Sequence, residues 1–390
     1  MLQFFYMLHT PEPAFNSNIT NILFELEGLR DRQVLGTTPS WEFFQLKNLF
    51  HIVEALSSAR IEGNHTTLAS FVEKRLSNED TSNEKLIEIS NLIEALEFID
   101  QHINTTNIDK QFIFELHKIV IKNLSFNNEG DLRPGAYRTE QRFISQSDHI
   151  LPQPSDIRDL MDELYLYINE DSDRRLDLMK IAISHHRFVW IHPFGNGNGR
   201  VVRLLTYAML CKKGFIKPGS ARLFNPTAVF SGNRQEYYNK LSIADHGDDA
   251  DILEWAEYVL EGLREEVKKS QKLADNEFVQ NEILIPTIAW AQDKNITNEL
   301  ETKVLNRLAR RNTIKASSIR DLWPADRSHV VVSKFLRKMK EQNFIEPLTA
   351  NGREYVIKFT ENKLTRGILD QMEKQGMLPI KVDEVSGLQK

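Results

Sequence analysis

The sequence has a single cysteine, no long apolar run and few segments that alternate in the manner of β-strands. One cysteine, Cys211, excludes an intramolecular disulfide, which is typical of proteins from a reducing compartment. Without a run of about eighteen apolar residues, no membrane-spanning helix is expected. The apolar start MLQFFYML is short and lacks the basic residues that open a signal peptide. These absences predict a soluble cytoplasmic protein with no membrane association.

Most of the chain has the periodicity of amphipathic helices. Apolar residues recur three and four positions apart, which places them on one face of an α-helix. The predicted helices are 42–61, 86–99, 112–120, Ser155–Asn169, Leu176–Ile191, Asn198–Lys212, Asn233–Ala244 and Asp251–Lys272. The fold class is therefore predicted to be mainly α, and 390 residues suffice for two or three domains.

The most informative stretch is HPFGNGNGR, residues 192–200, which is followed by Arg203. Its glycines let the backbone turn several N–H groups toward one point and form a nest for anions. The helical run VVRLLTYAML begins directly after it, so the nest is expected at a helix N-terminus, where phosphate is favoured. His192 before the turn and two arginines at its end are suited to activating a nucleophile beside a bound polyphosphate.

HPFGNGNGRVVR resembles the signature of Fic-domain proteins, His-Pro-Phe-x-(Asp/Glu)-Gly-Asn-(Gly/Lys)-Arg-x-x-Arg. Every fixed position matches except one, at which Asn196 replaces the acidic residue of the family. The resemblance implies a helical Fic core with a small β-hairpin flap. It also implies the family's reaction, which is transfer of AMP from ATP to a protein hydroxyl.

The resemblance implies roles for individual residues. His192 would act as the general base that takes the proton of the attacking hydroxyl. Asn198 would hold phosphate oxygens, while Arg200 and Arg203 would neutralise the β- and γ-phosphates of the leaving group. Phe194 is expected to anchor the loop in the core. Nucleotide contacts are predicted at Gly195, Asn196, Gly197, Asn198, Gly199, Arg200, Arg203, Tyr237 and Tyr238.

Position 196 is where the chain departs from the family pattern. The usual carboxylate helps to hold Mg²⁺, which prefers anionic oxygen ligands. An amide oxygen of Asn196 can ligate Mg²⁺ or Mn²⁺ but adds no negative charge. We expect weaker metal binding, a changed metal preference or a metal ion that relies more on the phosphates as ligands. A further alternative is that the protein uses a different nucleotide or catalyses a different transfer reaction. His185 and His186 are expected to pack against the loop, since no carboxylate or cysteine stands at zinc-ligand spacing.

A second motif, SSARIEGN at residues 57–64, ends the helix predicted at 42–61. Gly63 is the expected C-cap, and Ser58 and Glu62, four residues apart, share a helix face. The motif resembles the Fic inhibitory pattern, (Ser/Thr)-x-x-x-Glu-(Gly/Asn), in the class that carries it ahead of the core. The resemblance implies that Glu62 pairs with Arg203, so that ATP enters in a pose that misaligns its α-phosphorus.

The segment YRTEQRFISQSDHIL, residues 137–151, alternates around a polar break and predicts a β-hairpin. One interpretation is a surface hairpin that has no specific function. In Fic proteins, however, a hairpin at this place forms a flap that docks the target by strand addition, for which an exposed strand edge is suited.

The last part of the chain has the order of a winged helix. Between residues 301 and 340 it has eleven Lys and Arg against three Asp and Glu, inside a chain of net charge −6. Two predicted strands flank the hairpin turn signal Asn351-Gly352. The predicted elements are helices at Thr302–Arg311, Ser317–Leu322 and Ser328–Gln342, then strands at Phe344–Leu348 and Glu354–Phe359. DNA and protein both stay open as its partner.

We therefore predict an N-terminal helical segment with the inhibitory motif at 1–105, a Fic core at 106–272 and a winged-helix-like domain at 273–390. The leading hypothesis is an autoinhibited AMP transferase that uses ATP with Mg²⁺ or Mn²⁺ and modifies a Ser, Thr or Tyr hydroxyl of itself or of another protein. One alternative is removal of AMP from a modified protein, with Glu62 orienting water. Another is a nucleotide-sensing regulator that binds DNA. A homodimer is left open.

Overall fold

The computed structural model consists mainly of α-helices joined by turns and loops. It describes residues 8–30, 36–77, 83–144, 147–171, 173–216, 225–324 and 329–383. Its first helices are α1 Asn18–Arg30, α2 Ser40–Ile61, α3 Leu68–Ser77, α4 Glu84–His102, α5 Lys110–Ile121, α6 Ile157–Asn169, α7 Asp177–Ile191, α8 Asn198–Lys212, α9 Ala228–Ser231, α10 Arg234–Ala244 and α11 Asp249–Lys272. Every helix predicted from apolar periodicity in this part is present, which confirms the mainly α class.

The rest of the described chain adds short helices and a small sheet. These elements are α12 Asn276–Phe278, the π-helical turn Val279–Leu284, α13 Ile285–Asp293, α14 Glu299–Arg311, β1 Ile314–Lys315, the 3₁₀ helix Ala316–Leu322, α15 His329–Glu341, β2 Ile345–Pro347, β3 Glu354–Ile357 and α16 Leu364–Lys374. Strand β3 is central and pairs antiparallel with both β1 and β2. The predicted helices and hairpin of the tail are present, and their assignment to a winged helix stays a prediction.

Helix α7 lies at the centre of the larger helical part. It packs against α6, α8 and α11, and all of its residues except Val189 are buried. Helix α8 lies beside α7 and is joined to it only by residues 192–197. The short connection holds this loop at one end of the helix pair.

Helix α2 covers the α8 side of this core. It packs against α4, α8 and α9, while α4 also contacts α5. Ser58 in the last turn of α2 reaches Arg203 in the second turn of α8. This packing places both sequence motifs in the same region of the molecule.

The β-hairpin predicted for residues 137–151 is not formed by the described residues of that segment, 137–144 and 147–151, where no strand is present. Their polar groups bond to the end of α7 instead. Arg138 N–H donates to Pro193 O at 2.8 Å, and His149 Nε2 lies 2.9 Å from Trp190 O. The described residues of the segment are therefore irregular chain, which Arg138 and His149 hold against the loop and the end of α7.

Candidate active site

The loop between α7 and α8 begins with a residue in the left-handed conformation. His192 ends α7 with φ 52° and ψ 60°, and its N–H donates to Phe188 O at 3.0 Å. Gly197 precedes α8 with φ 80°, a region that favours glycine. These two residues turn the chain, so that the imidazole and the N-terminus of α8 belong to one short loop.

Phe194 anchors this loop from inside, as predicted. Its ring is buried and stacks on His117, with centroids 3.8 Å apart and an interplanar angle of 8°. Phe194 N–H donates to Asn198 Oδ1 at 2.9 Å, and Asn198 Nδ2 donates to Phe194 O at 2.9 Å. The buried Asn198 amide closes the loop with both of its polar ends. The phosphate-holding role of that side chain stays a prediction.

His117 on α5 supports the loop, although no sequence motif marks it. Its Nδ1 accepts from Gly135 N–H at 3.0 Å, which assigns the ring proton to Nε2, and Nε2 donates to Asn196 O at 3.1 Å. Burial lowers the pKa of His117 to about 4, although Asp131 opposes this change. Asp131 in turn accepts from Asn196 N–H at 3.0 Å. Both backbone polar groups of Asn196 are therefore held.

The side chain of Asn196 is committed to the same loop. Its Oδ1 accepts from Gly197 N–H at 2.7 Å and from Arg200 Nη2 at 3.4 Å, while its Nδ2 donates to Asn128 O and Gly130 O at 3.0 and 3.2 Å. Both lone pairs of the amide oxygen face donors, so this residue does not fit the predicted ligation of Mg²⁺ or Mn²⁺. Within the described chain, no three His, Cys, Asp or Glu side chains are grouped to hold a metal ion.

His192 presents a neutral imidazole to the loop. Burial lowers its pKa to about 4, so the ring is unprotonated at neutral pH. Its Nδ1 lies 3.4 Å from Val189 O, which assigns the ring proton to Nδ1 and leaves the Nε2 lone pair as a proton acceptor. Arg138 Nε donates to His192 O at 2.8 Å and steadies the backbone. This state is the one that a general base requires.

Arg203 binds the end of α2. Its Nε donates to Ser58 Oγ at 2.8 Å, and its Nη2 donates to Ser58 O at 3.1 Å and to Glu62 Oε1 at 2.7 Å. The Arg203 side chain is 2% exposed and that of Glu62 is 28% exposed. The pairing of Glu62 with Arg203, implied by the inhibitory pattern, is thus present.

Glu62 takes the position of an anion at the N-terminus of α8. Gly199 leaves room for it, because a β-carbon at that position would overlap Oε1 and lie 3.2 Å from Cδ of Glu62. Burial favours the neutral acid, but Arg203 and Arg200 outweigh it and lower the pKa of Glu62. The carboxylate is therefore ionised where the helix dipole and a guanidinium favour negative charge.

A Schellman turn fixes the backbone that carries Glu62. Gly63 has φ 99°, its N–H donates to Arg60 O at 3.0 Å, and Asn64 N–H donates to Ala59 O at 3.0 Å. The C-cap is Glu62, one residue before the predicted Gly63, and Gly63 is the left-handed glycine that follows the cap. Because both bonds close the last turn of α2, the Glu62 side chain leaves the helix at a defined angle toward α8.

Arg200 holds two other carboxylates. Its Nη1 lies 3.0 Å from Glu88 Oε1, and its Nη2 lies 2.9 Å from Glu129 Oε2. The arginine is buried, so its charge is neutralised inside the protein. Contact between Arg200 and a phosphate, as predicted, would need one of these ion pairs to open. Arg203 is bound to a single carboxylate among the described residues, and that carboxylate is partly exposed.

The two predicted adenine-contacting tyrosines lie in different environments. Tyr237 is 2% exposed, and its hydroxyl lies 2.9 Å from His185 Nε2 in the core. Tyr238 is 39% exposed, with the Arg234 guanidinium 5.3 Å from its ring centroid. His185 and His186 are buried, and their packing against the loop stays a prediction. A base contact by either tyrosine stays a prediction, and Tyr238 has the more accessible ring.

None of the described helices combines the length and the apolar character that crossing a bilayer requires. This finding agrees with the lack of long apolar runs in the sequence.

Comparison with known proteins relates this site to a known family. Residues 107–210 match the Fic/DOC family. The protein adenylyltransferase Fic of Nematostella vectensis is 32% identical over 197 residues, which are 49% of this chain and 42% of that protein. The protein of the same name from Aedes aegypti is 28% identical over 204 residues, 51% of this chain and 38% of that protein. The chain thus spans less than half the length of these curated relatives.

Solved structures show the same fold. A Fic family protein from Desulfovibrio desulfuricans G20 superposes with a TM-score of 0.54 at 19% identity, covering 90% of this chain and 98% of that one. A Fic-domain signalling protein from Bacteroides thetaiotaomicron gives a TM-score of 0.52 at 20% identity, covering 66% of this chain and 97% of that one. Residues 107–210, which include the whole loop at 192–203, are thus similar to the Fic/DOC family, and the chain shares its fold with these Fic proteins.

Proposed function

We propose that this protein transfers AMP from ATP to a hydroxyl group of a protein, and that Glu62 restrains the reaction. The observation that carries the proposal is that the ionised Glu62 carboxylate binds Arg203 at the N-terminus of α8. The loop that begins with His192 leads directly into this N-terminus. A neutral imidazole and an anion site joined by one rigid loop are what attack on a nucleotide phosphate requires. The adenylyltransferase names of the Nematostella and Aedes relatives support the reaction class.

The reaction balances with the residues present. The target hydroxyl oxygen forms a bond to the α-phosphorus of ATP as its proton passes to Nε2 of His192. The bond between the α-phosphorus and the bridging oxygen breaks, and pyrophosphate leaves with the electron pair. Arg203 and the N–H groups at the start of α8 stabilise the charge of the leaving group. A divalent cation carried by the phosphates of ATP would add to this charge stabilisation.

The restraint follows from competition for one guanidinium. Nη2 of Arg203 already binds Glu62 Oε1, so the terminal phosphate of ATP and this carboxylate compete for it. Glu62 is partly exposed and can leave, whereas Arg203 is buried and also held by Ser58. We therefore expect a low basal rate that rises when the carboxylate is removed.

Intact mass after incubation with ATP and Mg²⁺ or Mn²⁺ tests the proposal. Glu62→Gly should gain the mass of AMP, on itself or on an added target protein, much faster than the wild-type chain. His192→Ala in the Glu62→Gly background serves as the control and should gain none. A folded Glu62→Gly variant that binds ATP but gains no AMP at any protein hydroxyl would refute AMP transfer.

A second candidate is removal of AMP from a modified protein. It is favoured by the ionised, partly exposed carboxylate of Glu62 near the loop, which is suited to orienting a water molecule. Protein labelled by the Glu62→Gly variant, then repurified and mixed with the wild-type chain, distinguishes the two. Release of AMP that depends on Glu62 supports removal, and stable label supports transfer alone.

A further inference from the structure

A chain of buried hydrogen bonds joins the turn that carries Glu62 to Arg200 through Glu88 on α4. Asn64 Nδ2 donates to Glu88 Oε2 at 2.8 Å, and Glu88 Oε1 lies 3.0 Å from Arg200 Nη1. All three side chains are buried, with exposed fractions of 5% or less. We call this the Asn64–Glu88–Arg200 bridge. It links the end of α2 with the first turn of α8 by a route separate from the Glu62–Arg203 pair.

Asn64 is placed to control the position of Glu62. It is the second residue after Glu62, and its own N–H closes the Schellman turn on Ala59 O. Its Oδ1 accepts from Thr66 N–H at 3.0 Å, and its Nδ2 also donates to Lys85 O at 2.9 Å. The amide is therefore fixed in one orientation with its donor side toward α4. A shift of this side chain must move the turn.

Glu88 is a charged partner for both neighbours. Burial raises the pKa of Glu88, while Arg200 and the hydrogen bond from Asn64 oppose that rise. The carboxylate uses one oxygen for each neighbour, so loss of either contact leaves a buried oxygen with fewer donors. Hydrogen bonds to charged groups in such surroundings stabilise by more than neutral ones do.

We propose that the Asn64–Glu88–Arg200 bridge holds the Glu62 turn in its inhibitory place, with Asn64 and Glu88 as positioning residues. This inference rests on the proposed function and deepens its regulation. The bridge fixes the backbone of residues 62–64 against α4, and Glu62 then reaches Arg203 with little loss of conformational entropy. Without the bridge the turn moves away, and Arg203 becomes available to the phosphates of ATP.

Asn64→Asp is the sharpest test, because it keeps the size of the side chain and replaces the donor with a carboxylate that faces Glu88. The AMP incorporation rate should rise at least about tenfold over wild type, because the bond to Glu88 alone provides that much and the bond to Lys85 O is lost with it. Asn169→Asp is the matched control. Asn169 Nδ2 donates to Ile108 O and Tyr165 O away from the site, so this variant should keep the wild-type rate.

A reversal of hydrogen-bond polarity tests the role of Glu88. In the double variant Asn64→Asp with Glu88→Gln, the new amide donates to the new carboxylate and still accepts from Arg200. We expect the rate to fall back part of the way to the wild-type value, because the contact between residues 64 and 88 is restored while the bond to Lys85 O is not. In the Glu62→Gly background, Asn64→Asp should add nothing, because the carboxylate it positions is gone.

Hydrogen–deuterium exchange of residues 59–66 gives a readout that does not depend on activity. Asn64→Asp should raise exchange in this turn and the double variant should restore protection. Unchanged exchange would overturn the bridge whatever the rates are. If Glu62→Gly incorporates AMP while a folded Asn64→Asp stays at the wild-type rate, the bridge is refuted and AMP transfer stands. If Glu62→Gly is inactive, AMP transfer is refuted, and hydrogen–deuterium exchange alone tests the bridge.

Discussion

Gly199→Ala is expected to expel Glu62 from Arg203 by adding one methyl group. A β-carbon at position 199 would lie 3.2 Å from Glu62 Cδ and 3.1 Å from Arg203 Nη1, and it would overlap Glu62 Oε1. Ordinary contact needs about 3.5 Å or more, so the carboxylate must retreat by about 1 Å. The Glu62–Arg203 hydrogen bond of 2.7 Å cannot survive that shift.

The size of the effect follows from what is lost and what remains. Arg203 keeps its two bonds to Ser58, so the loss is one hydrogen bond between charged groups, worth about 2 kcal/mol. Alanine gains up to about 1 kcal/mol over glycine in a helix, which partly offsets this loss. We therefore expect Gly199→Ala to lower the free energy of unfolding by about 1 kcal/mol in the wild-type chain. With Glu62→Ala only the gain from alanine is left, so Gly199→Ala should raise the free energy of unfolding by about 1 kcal/mol.

A double-mutant cycle in urea unfolding measures this coupling. The four chains are the wild type, Gly199→Ala, Glu62→Ala and the double variant, and the expected coupling is about 2 kcal/mol. Gly28→Ala on α1 is the matched control, since a β-carbon there meets nothing within 4 Å. Its effect should be the same in both backgrounds. If Gly199→Ala changes the free energy of unfolding equally with and without Glu62, the added methyl group does not act by displacing Glu62.

Three further outcomes are expected. Glu42 is buried, its carboxyl oxygens have no hydrogen-bond partner among the described residues, and burial raises its pKa from 4.5 to about 8. The proton it retains stabilises the fold fully below pH 4.5, and this stability is lost as the pH rises through 8. The wild-type free energy of unfolding in urea should therefore fall by about 1–2 kcal/mol between pH 6.5 and 8, and Glu42→Gln should abolish this fall. Gln45 donates to Ile357 O at 2.9 Å and accepts from Phe359 N–H at 2.8 Å, so Gln45→Ala should cost about 1–2 kcal/mol and speed proteolysis near β3. Phe194→Ala should cost about 3–5 kcal/mol in thermal unfolding and abolish AMP incorporation by Glu62→Gly, because the loop loses its anchor; an active variant would contradict the anchoring role.

The helices and the Glu62–Arg203 pair are the features that the sequence predicts best. Amphipathic periodicity needs only local information, and it locates α7 and α8 to within a residue at each end. Gly63 predicts where α2 ends for the same reason, since the left-handed position that closes a helix is a local property.

The supports of the loop could not be predicted, because they depend on tertiary contacts between distant residues. His117 and Asp131 bind the backbone of Asn196, and no spacing rule relates them to the motif. Glu88 meets Arg200 across 112 positions. The intramolecular partners of Asn198 and Arg200 were missed for the same reason, and the phosphate contacts of both residues stay predictions.

The segment at 137–151 shows the limit of alternation as a signal. A strand forms only where a partner strand accepts its hydrogen bonds, and here Arg138 bonds to the loop instead. The division of the chain at residues 105 and 272 likewise stays a prediction, because α2 and α4 pack directly on α8.

Helix α2 is buried along too much of its length to detach from the fold as a unit. Glu54 accepts from Thr227 N–H at 3.1 Å on one side of α2. On another side, Gln45 hydrogen-bonds to the backbone of Ile357 and Phe359 at the end of β3. Most residues between these points are buried. An activating molecule therefore has to act on a single helical turn rather than displace a whole helix. A competing peptide with the sequence of α2 should fail to activate the protein, whereas a small ligand that reaches residues 58–64 has an entry at the partly exposed Glu62.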